Sequence, residues 1–259
     1  MSEQPSLIGP LSRIDRADEL ITELEGDLKA FLQSKPYTIE ERPDENPTTL
    51  AFVITSLAEV PLRPRIVAGE VAHHLRASLD LMVYQLTLMA GVTDEKSLKK
   101  AVFPVLDKDL GTTQGGGEYH AAIKRAISSL PDAQRARIEA LQPCNTNHEW
   151  SHLAQVQRLD NTQKHRLLLA AMSSVRIGGW NFRNEDGTVT TMPHHSFLPL
   201  QEDALLKIGP VGPGFVLPNL AQEVCFFEPG PVFGHPIGHI LRNLSKMTRE
   251  TVESFLGCF

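Results

Sequence analysis

The chain has 259 residues, 41% of them hydrophobic and 22% charged, the make-up of a globular protein with a real core. Its net charge of −6 argues against indiscriminate nucleic-acid binding, which needs a positive field, and leaves room only for a local basic cleft. Cys144, Cys225 and Cys258 are scattered with no CxxC, which argues against a disulfide framework or a cysteine zinc site.

From the N-terminus, MSEQPSLIGP lacks the basic-then-apolar pattern of a signal peptide. No apolar run approaches the roughly 18 residues that span a membrane. The expectation is a cytoplasmic protein without membrane contact. Residues 11–34 predict a helix, with Leu11, Ile14, Leu20, Ile21, Leu24, Leu28 and Phe31 at helical spacing and Pro36 as its stop. Residues 37–42 and 49–57 predict two strands joined by PDENP. Residues 64–90 predict a long helix ending at Gly91. GGGEYH (115–120) reads as a loop leading into a helix over about 118–129, and a second short helix covers 132–141. A further helix is expected over 149–173.

The character then changes. Residues 174–228 carry Gly, Pro and short apolar runs that predict four or five strands, with NEDG (184–187) as a hairpin turn. From Pro236 to Phe255 the spacing of Ile237, Ile240, Leu241, Leu244, Met247, Val252 and Phe255 is helical again. The order predicts one α+β domain: a helical bundle around a long central helix, with an antiparallel sheet from the N-terminal hairpin and the C-terminal strands.

Two helices concentrate the polar chemistry. In GEVAHHLRASLDLMVYQL (69–86), Val71, Leu75, Leu79, Met82 and Leu86 fall on one side, and Glu70, His73, Arg76, Asp80 and Tyr84 on the other. In HEWSHLAQVQRLDNTQKHRLLLAA (148–171), Arg158, Asn161 and His165 share a face, and Asp160 and Lys164 form a second pair at i,i+4. Either stripe reads as a solvated face with ion pairs or as the wall of a cleft. LLLAA predicts burial of the second helix's C-terminal half.

GEVAHHLRASLD, then LQPC (141–144), then NTQKHR resemble a set of uncharacterised bacterial proteins. Their pattern runs G-D-x-x-H-x-x-R-x-x-L-D-H, L-Q-P-Y and N-x-D-K-H-R. The resemblance covers 69–170 best and falls on His73, Arg76, Asp80, Asn161, Lys164, His165 and Arg166. Leu81 stands where that pattern has His, and Gln163 where it has Asp. The helical part also resembles the HEPN superfamily, through Arg158 followed by His165. That resemblance implies a metal-independent ribonuclease and a homodimer.

His148-Glu149-Trp150-Ser151-His152 is a literal H-E-x-x-H. On a helix that spacing holds zinc between two histidines while the Glu polarises a water. GTTQGGGE lacks the Lys-Ser/Thr of a phosphate loop and reads as a plain loop. The leading expectation is a hydrolytic enzyme that needs no cofactor, acting on a small molecule or RNA from a site between the two helices. His73 and His165 would transfer protons, Asp80 would orient one of them, and Arg76 and Arg158 would bind an anion with Asn161 alongside. Tyr84, Lys164 and Arg166 would contact substrate. The alternatives are a zinc hydrolase with His148 and His152 as ligands, and a non-catalytic helical binding protein.

Overall fold

The computed structural model describes residues 4–42, 45, 50–106, 126–145, 151–166, 169, 171–177, 180–184, 186–192, 196–200, 205–208, 215–216 and 220–259. The GGGEYH loop and most of the helix expected over 118–129 lie outside them, as does most of the PDENP turn. No described helix is long and apolar enough to cross a membrane.

The fold is α+β. Helix α1 (Ile8–Gln33) buries Ile14, Leu20, Ile21, Leu24 and Leu28, the spacing the sequence predicts. Lys35 takes a left-handed φ of 53° just beyond its end, and Pro36 follows. Strands β1 (Tyr37–Arg42) and β2 (Leu50–Leu57) form an antiparallel hairpin. Helix α2 (Leu62–Met89) comes next and is the centre of the core: Val71, Leu75, Leu79, Met82 and Leu86 are all fully buried. It packs on α1 along its length and on two later helices, α5 (His152–Arg166) and α6 (Ile237–Glu253). The short helices α3 (Glu95–Leu98) and α4 (Asp132–Ala140) lie between.

The C-terminal half carries seven described strands, β3 (Ala171–Ile177), β4 (Trp180–Arg183), β5 (Val189–Met192), β6 (Ser196–Pro199), β7 (Leu205–Ile208), β8 (Phe215–Val216) and β9 (Leu220–Phe226). All strand pairings are antiparallel, in three sheets ordered β1-β2-β7, β6-β3-β9 and β5-β4-β8. The early hairpin therefore does join a late strand, through β2 and β7. The NEDG turn links β4 to β5, and Gly187 supplies the φ of +85° that a side chain would disfavour.

One boundary differs in a way that matters. The helix expected over 149–173 runs only from His152 to Arg166, and Ala171 already opens β3. The run after Arg166 is apolar enough for either state, and periodicity alone does not separate a buried helix from a central strand. β3 lies between β6 and β9, where sheet pairing supplies the backbone partners. The expected burial of the helix's C-terminal half does not hold at Asn161, Lys164 and His165, which are exposed; Leu169, beyond the helix, is 1% exposed.

Arginines on α6 fasten α1 at the surface. Arg249 pairs with Asp15 and Asp18, and Arg242 with Glu25. Beneath these pairs Leu241, Leu244 and Val252 join the same core as α2.

Candidate functional site

α2 and α5 meet at a glycine. A Cβ on Gly69 would fall 2.0 Å from Gln163 Oε1 and 2.2 Å from Cδ, so a side chain there would displace the end of Gln163. Gln163 is wedged there with Oε1 buried and unbonded. The next polar residues along the two helices stand face to face.

One turn along α2, His73 Nδ1 lies 3.1 Å from Asp160 Oδ1 on α5. Lys164 Nζ donates to the other carboxylate oxygen, Oδ2, at 2.6 Å. Asp160 is 1% exposed at its side chain, whereas His73 is 53% and Lys164 50% exposed. A buried carboxylate thus has two half-exposed partners. Because the carboxylate accepts, the imidazole proton sits on Nδ1, and Nε2 carries the lone pair on the other side of the ring.

Asp80 lies two turns further along α2 and has a different partner set. Its Oδ1 accepts from Arg76 Nη2 at 2.8 Å and from the Phe103 backbone N–H at 2.9 Å. Arg76 Nη2 also donates to the Phe103 carbonyl at 2.7 Å. Arg76 and Asp80 together clamp the backbone of the segment after α3, whose Ala101, Phe103 and Leu106 enter the core. Burial pushes the Asp80 carboxyl above its ordinary value, while Arg76, the Phe103 N–H and Lys164 pull it down and Asp160 pushes it up. The two clusters therefore feel each other's charge.

On its α1 side the α2 stripe opens to a groove of about 320 Å³, lined by Arg13, Asp80 and Tyr84 among others. Arg13 Nη1 is 3.5 Å from His74 Nδ1. Burial, then Arg13, lower the His74 value, so this imidazole is neutral at pH 7. Its ring centroid is 6.2 Å from that of His73.

The sequence-predicted residues separate accordingly. His73, Arg76, Asp80 and Tyr84 share one side of α2, and Lys164 of α5 reaches that side through Asp160. His73 is oriented by Asp160 rather than by Asp80, because α5 presents its Asp160–Gln163–Lys164 side to α2. At about 100° per residue, Arg158 and His165 lie roughly 160° and 140° around α5 from Asp160, and Asn161 roughly 100°. Asn161 and His165 are exposed and make no side-chain hydrogen bond among the described residues. Arg158 Nη1 lies 3.2 Å from where a Cβ on Gly230 would stand, so it packs on the turn after β9. Arg76 is buried in its clamp and is not displayed to a ligand. The Arg166 side chain lies outside the described residues.

HEWSH sits differently from the zinc-motif expectation. His148, Glu149 and Trp150 lie outside the described residues, and α5 starts only at His152. His152 Nε2 is 3.0 Å from Thr251 Oγ1 on α6, and that hydroxyl gives its own proton to the Met247 carbonyl at 2.9 Å. His152 is therefore the donor, with its proton on Nε2. Burial lowers its pKa to about 4. Ligating a metal through Nε2 requires giving up this bond. Among the described residues no three His, Cys, Asp or Glu side chains are grouped to hold a metal ion.

The sequence marked Asp160 only as the ion-pair partner of Lys164, gave Lys164 a substrate contact, and did not mark Arg13. The spacing Gly69–His73 against Asp160–Gln163 carries the pairing, but one helix alone does not reveal its partner's register. No family model, no curated protein and no solved structure matches the chain.

Proposed function

We propose that this protein is a hydrolytic enzyme working by histidine acid/base catalysis, with His73 as the proton-transfer group. One observation carries the reading: a half-exposed imidazole is held through Nδ1 by a carboxylate that is itself 1% exposed. A buried carboxylate behind a histidine fixes the tautomer, aims Nε2 outward and stabilises the imidazolium formed when a proton is taken.

Nε2 accepts a proton from water as its oxygen attacks the electrophilic centre of an ester or phosphodiester, and returns it to the leaving oxygen. Lys164, half exposed beside the dyad, keeps N–H donors for the developing negative charge. Arg13 at the neighbouring groove adds a cation that faces substrate, the part the sequence had given to Arg76 and Arg158. Asp160 and Lys164 are ligand-orienting and charge-stabilising groups. Arg76 and Asp80 hold the adjoining segment in place.

The test is a panel of anionic phosphodiesters, carboxylic esters and short RNA, with the wild type, His73→Gln and Asp160→Asn compared for kcat/KM and for urea unfolding. Loss of general acid/base catalysis lowers rate by about 10²–10⁴-fold. His73→Gln is expected to fall in that range with folding intact, and Asp160→Asn to lower kcat more than it raises KM. Wild-type protein inert across the panel, or His73→Gln at the wild-type rate, sinks the reading.

A further inference from the structure

Away from the α2–α5 face, the end of β2, the start of α2 and the start of β3 surround a second cavity, of about 370 Å³. Its size is within the range of small-molecule sites, about 300–1,000 Å³. Its walls are largely apolar. Leu57 and Val60 come from the hairpin's exit, Leu200 from the end of β6, and Phe227 from just past β9. Phe227 is 50% exposed.

Two polar groups break this lining. Arg65 Nε donates to the Leu169 carbonyl at 3.0 Å, which fixes the guanidinium plane against the wall. No carboxylate is within ion-pair distance of Arg65 among the described residues. Arg242 and Arg249 on α6, by contrast, each pair with a carboxylate of α1. Ser173 is the second group: it is 4% exposed, lines the same cavity, and its hydroxyl is buried without a hydrogen-bond partner. An unmet buried hydroxyl is costly, so a protein that keeps one commonly meets it with something else. The remaining wall acid, Glu59, is exposed and sets a limit on how much negative charge an occupant carries.

We propose that this cavity binds a small monocarboxylate with an apolar body. The carboxylate takes the unpaired end of Arg65, through the fork geometry in which a guanidinium grips two oxygens. Ser173, whose hydroxyl has no partner, would give its proton to the same carboxylate once the occupant is seated. The hydrocarbon lies against Leu57, Val60, Leu200 and Phe227. A dianion meets Glu59, and an inorganic anion leaves the apolar wall bare, so neither fits as well. The site is independent of the His73 dyad. Arg65 lies eight residues before His73 on the same helix, about 12 Å along its axis.

Isothermal titration of the full chain with hexanoate, hexanamide and inorganic phosphate tests this, alongside Arg65→Gln and Ser173→Ala. The expected result is one saturable site for hexanoate. Hexanamide and phosphate are each expected to bind at least tenfold more weakly, and Arg65→Gln is expected to weaken hexanoate at least tenfold. Thermal unfolding of Arg65→Gln shows whether that variant is folded. If it is not, the wild-type preference for hexanoate over the isosteric neutral hexanamide decides the matter alone. Equal binding of acid and amide, equal binding of phosphate and hexanoate, or no saturable hexanoate site overturns the proposal.

Discussion

Asp160 is the most consequential single residue, because its charge is buried and its two partners are not. Its side chain is 1% exposed while His73 and Lys164 are each about half exposed. Deleting the carboxylate lets both partners turn to water at little cost. Deleting Lys164 leaves a buried carboxylate with only the imidazole beside it, and an undercompensated buried charge is costly. Lys164→Met is therefore expected to lower unfolding free energy by about 2–3 kcal/mol and Asp160→Leu by under about 1 kcal/mol. Urea unfolding at pH 7 measures both. The opposite order means that Asp160 acts mainly as mechanical glue between α2 and α5. A purely structural network also predicts that His73→Gln costs stability while leaving rate untouched, which separates the interaction-protein reading from the enzymatic one. Residue by residue, the sequence exposed the chemistry of α2 well, since its stripe of His73, Arg76, Asp80 and Tyr84 stays on one side in the fold. What it did not expose is that Arg76 and Asp80 would be used up on the Phe103 backbone. That clamp comes from a segment with no periodicity of its own, and nothing in the helix forecasts it.

At the scale of elements, the approach of α5 to α2 depends on the missing Cβ at position 69. In an open helix Gly→Ala is worth about 1 kcal/mol of gain. Here the new methyl would stand 2.0 Å from Gln163 Oε1, an oxygen already buried without a hydrogen-bond partner. Gly69→Ala is expected to destabilise by about 1–2 kcal/mol despite the propensity gain, and to lower activity by shifting Asp160 away from His73. In a Gln163→Ala background the methyl has space, and the same substitution is expected to become neutral or stabilising. A double-mutant cycle by urea unfolding reads the coupling. Additive effects would mean that Gln163 swings away freely and the helix register is set elsewhere. The element boundaries show where sequence legibility stops. α1, α2, α6 and the β1–β2 hairpin follow from apolar spacing and from Pro and Gly punctuation, because each has one buried and one wet side. The C-terminal end of α5 does not. LLLAA has no polar side to give it a period, and the strand Ala171–Ile177 that opens within it is paired with β6 and β9.

For the whole molecule, the pairing of α5 with α6 makes stability sensitive to acid through one histidine. His152 donates Nε2–H to Thr251 across that contact, and burial holds its pKa at about 4 against an ordinary 6.5. The folded state thus keeps this imidazole neutral over a range in which the unfolded chain protonates it. Stability from the neutral form is fully present above pH 6.5 and is lost as pH falls toward 4, below which both states are protonated. Two and a half units correspond to about 3 kcal/mol at most. His74 is shifted in the same direction and adds to the loss. Asp80 opposes it: a carboxyl raised by burial binds its proton more readily when folded, so its contribution grows as pH falls. The size of the His152 shift makes it the dominant of the three. His152→Gln keeps a side-chain N–H for Thr251 and removes the titration. Between pH 6.5 and 4.5 the wild type is expected to lose about 2–3 kcal/mol of unfolding free energy and the variant less than half of that. Parallel curves for the two proteins would mean that acid acts elsewhere, and would free His152 to be reconsidered as a metal ligand with His148.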